Sequence, residues 1–180
     1  MDIDVTDVER QVVIMFKIGD TICYGTTGVC TIDNTIERTV KGEVKKYYVL
    51  KPIFQNNATV YVPADNEELT SRMKNVLTSD EVENIIEHIP EYPCKWIVSD
   101  SERTRKFRET MVSGDRTELT KMVRMLYVHR QKQYAKGRRL HASDEHFLKD
   151  AESLLFGEFA LVLGIKPDEV PGYIDKKIAG

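Results

Sequence analysis

The sequence is poor in the features that mark most specialised classes of protein. No apolar run reaches the roughly 18 residues that a membrane-crossing helix needs; the longest, around Phe159–Ile165, is broken by Gly164. The amino terminus, Met1-Asp-Ile-Asp-Val-Thr-Asp-Val-Glu9, is acidic and has no basic segment leading into an apolar one, so it does not read as a signal peptide. Cysteine is scarce. Cys23, Cys30 and Cys94 are odd in number and lack CxxC spacing, which fits reduced thiols in a cytoplasmic protein better than a disulfide framework. Few prolines and glycines and no low-complexity tract exclude a fibrous or disordered chain. Tryptophan occurs once, at Trp96.

Catalytic patterns are missing as well. His141-Ala-Ser-Asp-Glu-His146 has residue types suited to a metal, but no histidine pair at helical spacing and no HExxH. Asp144 and Glu145 are explained by their place at the start of a helix, where the macrodipole favours negative charge. No Walker or dinucleotide pattern is present, and Gly25-x-x-Gly28 reads as a turn between strands. No enzyme activity, metal, cofactor or small-molecule substrate is expected.

What is there divides into two halves. Phe16-Lys-Ile-Gly-Asp-Thr-Ile-Cys-Tyr24 alternates apolar and polar residues, and Val29–Ile36 is rich in β-branched residues. Val40-Lys-Gly-Glu43 is a hairpin turn into Lys46–Lys51, and Asn56-Asn57 turns into Thr59–Val62, which Pro63 stops. Short strands at this spacing predict a small, bent β-sheet or barrel over residues 15–75. From Thr78 the period becomes helical. Thr78-Ser-Asp-Glu81 and Asp115-Arg-Thr-Glu118 are capping-box patterns, and Ser143 is the expected cap of a further helix. Leu119, Met122, Val123, Leu126 and Tyr127 are expected to face inward on one helix, and Phe147, Ala151, Leu154, Leu155 and Phe159 on the next. The fold class is α+β: a small SH3-like sheet or barrel followed by a helical bundle over residues 78–178. Residues 1–14 fit neither pattern and are taken as an amino-terminal extension.

Charge is uneven. From Asp100 to Arg139 twelve basic residues face five acids, a net +7 on a chain whose formal net charge is −3, which leaves −10 for the remainder. Such an excess fits a polyanion-binding face or a solvated helix surface laced with ion pairs. Trp96 lies just before this stretch, in a Pro-containing connector. It packs on the helical core or stands exposed beside the basic face, where an aromatic bordered by Arg and Lys can wedge into DNA.

The ordered motifs resemble the CarD-like (CdnL) bacterial transcription regulators. They are Met15-Phe-Lys-Ile-Gly-Asp-Thr-Ile-Cys-Tyr-Gly25, Lys41-Gly-Glu43, Tyr47-Tyr-Val-Leu-Lys51, Val60-Tyr-Val-Pro-Ala-Asp-Asn66, Trp96, Ser113-Gly-Asp115, Val123-Arg-Met-Leu126, Ala142-Ser-Asp-Glu145 and Leu155-Phe-Gly-Glu-Phe-Ala-Leu161. The resemblance implies a Tudor-like domain, shared with transcription–repair coupling factors, that binds the β subunit of RNA polymerase through a sheet edge. It also implies a helical domain on duplex promoter DNA at the upstream edge of the transcription bubble, held largely without sequence preference and stabilising the open complex. The polymerase-contacting positions fall on Arg38, Thr39 and Val40, and a further one, basic in some members, is Tyr61 here. Trp96 matches the DNA wedge. Arg103 and Arg105 are the candidates for the basic position after it, and Arg124 matches a further DNA contact. Arg130, Lys132, Lys136, Arg138 and Arg139 complete the expected DNA face by their charge. The competing expectation is an adaptor whose basic helices meet an acidic protein.

Overall fold

A computed structural model describes residues 16–55 and 57–179; the expected extension over residues 1–14 lies outside them. The β-branched and aromatic residues of the first half form five antiparallel strands: β1 Thr21–Tyr24, β2 Gly28–Val40, β3 Glu43–Pro52, β4 Val60–Pro63 and β5 Met73–Asn75. Their order is β4-β3-β2-β1-β5. β4 and β5 form the two edges, so among the described residues the element is an open sheet and not a closed barrel. Asp33 is an extra residue between the Ile32–Leu50 and Asn34–Val49 pairs, a bulge of the kind that bends a strand. Lys41 and Gly42 both take positive φ, 52° and 85°, the primed turn that fits the twist of a two-residue hairpin.

Two expectations for this half are corrected. Phe16–Asp20 is a turn, not the start of a strand: the Asp20 carboxylate accepts from the Lys17 amide at 2.7 Å, and Gly19 has φ 92°. β5 was not anticipated. Three residues are too few to show a period, and β5 exists because Met73–Asn75 pairs with Ile22–Tyr24. Strand alternation separates the two faces. Ile22, Cys30, Ile32, Leu50, Val62 and Met73 form the sheet's own core, whereas Cys23 points toward the helices.

After a single turn, α1 Glu67–Thr70, the helices are α2 Ser79–His88, α3 Asp100–Ser113, α4 Arg116–Tyr134, α5 Ala142–Leu163 and α6 Val170–Ala179. The Thr78–Glu81 capping box forms as expected. Asp115 caps α4 by accepting from the Glu118 amide at 2.8 Å. Ser143 is not a cap: α5 begins at Ala142 with His141 before it, and Ser143 Oγ instead meets His141 Nδ1 at 2.8 Å. Leu119, Met122 and Leu126 are buried, but Tyr127 is 46% exposed. It lies about 100° around the helix from Leu126, which turns it out of the packed stripe. Phe107, Leu126, Leu148 and Phe159 are the centre of the helical core.

Candidate functional site

The long hairpin of β2 and β3 projects past its neighbours. β1 pairs only with Gly28–Thr31 and β4 only with Tyr47–Leu50. Among the described residues, Asn34–Val40 therefore has no partner on its outer edge. Such an edge can accept an added strand. Arg38, Thr39 and Val40 are all exposed on it. The Arg38 guanidinium lies over the Tyr61 ring, 4.3 Å from its centroid, so two residues far apart in sequence share one face. Exposed Val40 and Val44 add an apolar component beside this cation–aromatic pair.

At the far end of the bundle, the connector before α3 is held by side chains. Arg124 of α4 donates to the Pro90 carbonyl at 2.9 Å, to the Tyr92 carbonyl and to Cys94 Sγ at 2.9 Å. Trp96 is partly buried and packs against the helical core. Its ring stacks on His129, with centroids 3.5 Å apart and planes within 2°, and the Arg103 guanidinium lies 4.5 Å from the ring. Of the two placements open for Trp96, the structure gives packing on the helical core with part of the ring still accessible: the connector folds back onto α4. The expected role of Arg103 is corrected, since it is 3% exposed. It donates to both oxygens of Asp144 at 2.9 Å, to Asp100 at 2.7 Å and to the Ile97 carbonyl at 2.9 Å. Those acceptors neutralise the charge and leave none of it for a phosphate. Arg124 likewise holds protein carbonyls.

The remaining basic candidates are closer to the surface. Arg105 is exposed and paired with Glu109 at 2.8 Å. Arg130 lies 3.9 Å from Glu145 and over the Tyr127 ring. Lys132, Lys136, Arg138 and Arg139 are exposed at the carboxyl end of α4 and in the loop after it, with no ion pair among the described residues. Arg139 and Trp96 line one cleft of about 260 Å³, together with Val98, which is 84% exposed. Sequence reasoning missed His129, Asp144 and Val98. Nothing in the pattern pairs residues 41 apart, and an exposed valine in a connector carries no period.

Residues 16–76 match the family model of the CarD-like/TRCF RID domain, and residues 89–175 match that of the CarD C-terminal domain. The chain belongs to the CarD-like family. It is also 25% identical over 159 residues to the "Putative transcription factor YdeB" of Bacillus subtilis (strain 168), a match covering 88% of this chain and 99% of that protein. Membership places this CarD-like chain among transcription regulators with an RNA polymerase-interacting domain. Among the described residues, no helix is long and apolar enough to cross a membrane, and no group of three or more His, Cys, Asp or Glu is placed to hold a metal.

In the CarD-like chain a second ion pair, buried at Glu158 and partly buried at Arg116, lies in the second family segment and reaches the first through Asn75. Glu158 of α5 accepts from Arg116 Nε and Nη2 at 2.9 and 3.0 Å and from the Leu77 amide at 2.9 Å. Arg116 also donates to the Asn75 carbonyl of β5 at 2.9 Å. Burial, reinforced by the Glu158 charge and opposed by Arg116, pushes the Cys23 thiol up to about 12. Burial pushes Cys30 up to about 11. Both stay protonated and unreactive near neutral pH. At Gly157 an added Cβ would stand 3.2 Å from Phe54 Cδ2, so the Gly157-Glu158 pair in the family motif is where α5 meets the sheet-side loop.

Proposed function

We propose that this chain regulates transcription initiation by bridging RNA polymerase to promoter DNA. Residues 15–75 hold the polymerase β subunit by pairing with the open Asn34–Val40 edge, while Arg38 and Tyr61 contact the partner's side chains. Residues 78–178 lie on duplex at the upstream edge of the bubble. Lys132, Lys136, Arg138 and Arg139 contact phosphates there, and the accessible part of Trp96 rests in the minor groove and slows bubble closure. The observation that carries this reading is the clustering at one end of the bundle. The single tryptophan lies in a cleft with Arg139, beside basic residues that have no ion-pair partner among the described residues. Phosphates favour unpaired surface cations. Buried Arg103 and clamped Arg124 are not part of this contact set.

The test is the salt dependence of duplex binding. Each lost phosphate contact lowers the slope of log affinity against log salt by about one. Lys136→Ala with Arg138→Ala should therefore reduce the slope by about two and weaken binding similarly on unrelated sequences. An unchanged slope rejects the DNA face and favours an adaptor with an acidic protein partner. Arg38→Glu should separately weaken polymerase capture without lowering the melting temperature. Capture equal to wild type would move the polymerase contact elsewhere.

A further inference from the structure

Trp96 lies in a connector without helix or strand, so no backbone ladder fixes the direction of its side chain. Three side chains do that work. Arg124 clamps the chain at residues 90, 92 and 94. Arg103 holds the Ile97 carbonyl and places its guanidinium over the indole. His129 stacks parallel to the ring at 3.5 Å. Arg103 is immobilised by Asp144 and Asp100, and α4 carries His129 one turn before Gln133. Gln133 Nε2 meets His129 Nε2 at 3.0 Å. An amide nitrogen donates, so this contact suits a neutral imidazole whose facing ring nitrogen accepts.

We propose that His129 is the positioning residue of Trp96: a neutral imidazole, fixed by Gln133, that sets the plane in which the indole is presented to DNA. This rests on the reading that Trp96 contacts DNA. A flat neighbour 3.5 Å away lets the indole slide little and tilt less, so the orientation is set before the partner arrives. Protonation would set two donors face to face at Gln133 and add a cation beside Arg103, Lys132, Lys136 and Arg139. His141 borders the same cleft, and Asp144 supplies the opposing negative charge. Burial, with the charges of Arg103, Lys132 and Lys136, holds the His129 pKa below the ordinary histidine value.

Because Trp96 is the only tryptophan, its fluorescence reports this stack directly. Protonated imidazole quenches indole emission, so emission of the full chain should fall as pH drops below the ordinary histidine range. His129→Phe, which keeps a flat ring, should abolish that fall. On promoter open complexes formed with the cognate polymerase, His129→Ala should shorten the lifetime by about two- to tenfold, the worth of one aromatic stack. His129→Phe should restore most of it at an unchanged melting temperature, while His129→Ala should melt lower by about 2–4 °C, the loss of one stack, and stay folded at the assay temperature. If Trp96→Ala shortens the lifetime while His129→Ala leaves it unchanged or lengthens it, the positioning role is overturned and the DNA contact stands. If Trp96→Ala itself has no effect, the reading beneath falls and the proposal falls with it. A pH-dependent fall that persists in His129→Phe also overturns the stack as the origin of the signal.

Discussion

Two arginine–carboxylate pairs are anchored on buried carboxylates of α5 and hold different things. Arg103–Asp144 ties α3 to the start of α5 beneath the Trp96 connector, and both side chains are nearly inaccessible. Arg116–Glu158 sits about three-quarters of the way along α5 and reaches Asn75 and Leu77, so it ties the bundle to the last strand. The first shapes a surface that is proposed to meet DNA; the second sets how that surface stands relative to the β2–β3 hairpin. The difference is redundancy. Each arginine keeps a backbone carbonyl, Ile97 for Arg103 and Asn75 for Arg116. Arg103 also retains a second carboxylate, Asp100, if Asp144 is altered, whereas Glu158 is the only carboxylate with which Arg116 pairs among the described residues. Two residues of the strongly basic stretch are therefore internal cement and do not add to its surface charge.

The contrast can be broken at either pair. Glu158→Ala should have the largest effect, about 3–5 kcal/mol, because it leaves a mostly buried guanidinium without its carboxylate and the Leu77 amide without its acceptor. Chemical denaturation measures it, and a loss under about 1 kcal/mol would mean that solvent reaches the joint. Asp144→Asn should cost less, about 1.5–3 kcal/mol for a charged hydrogen bond weakened and not removed. It should also shift Trp96 emission, as the guanidinium over the ring loses one anchor. A loss as great as that of Glu158→Ala would refute the argument from redundant acceptors.

The smallest effect is one of pH. The native pKa of His129 is lowered, chiefly by burial, so the unfolded chain binds this proton more readily than the folded one. The contribution is present above the ordinary histidine value and is lost as pH falls through it toward the lowered native value. Comparing melting temperatures across that window in wild type and His129→Phe isolates it. An equal acid-induced decline in both would assign the decline to other groups.

The division into sheet and bundle was legible because it rests on local periods: alternation up to Pro63 and helical stripes with capping residues from Thr78. The Lys41-Gly42 turn was legible for the same reason, since a two-residue hairpin needs those dihedrals. The family motifs could be recognised, but their physical cause could not. Gly157-Glu158 is explained only once Phe54, Leu77 and Arg116 stand beside it, and these come from three separate segments. The basic stretch shows the limit most clearly. Local sequence determines that Arg103, Arg124, Lys136 and Arg138 are all cations. Only the tertiary structure decides that the first is sealed under Trp96 by Asp144, the second holds the connector, and the last two face solvent. The reason is range: a backbone hydrogen bond or a turn is chosen by a few neighbouring residues. The availability of a charge depends on whether a carboxylate dozens of residues away arrives within 3 Å of it.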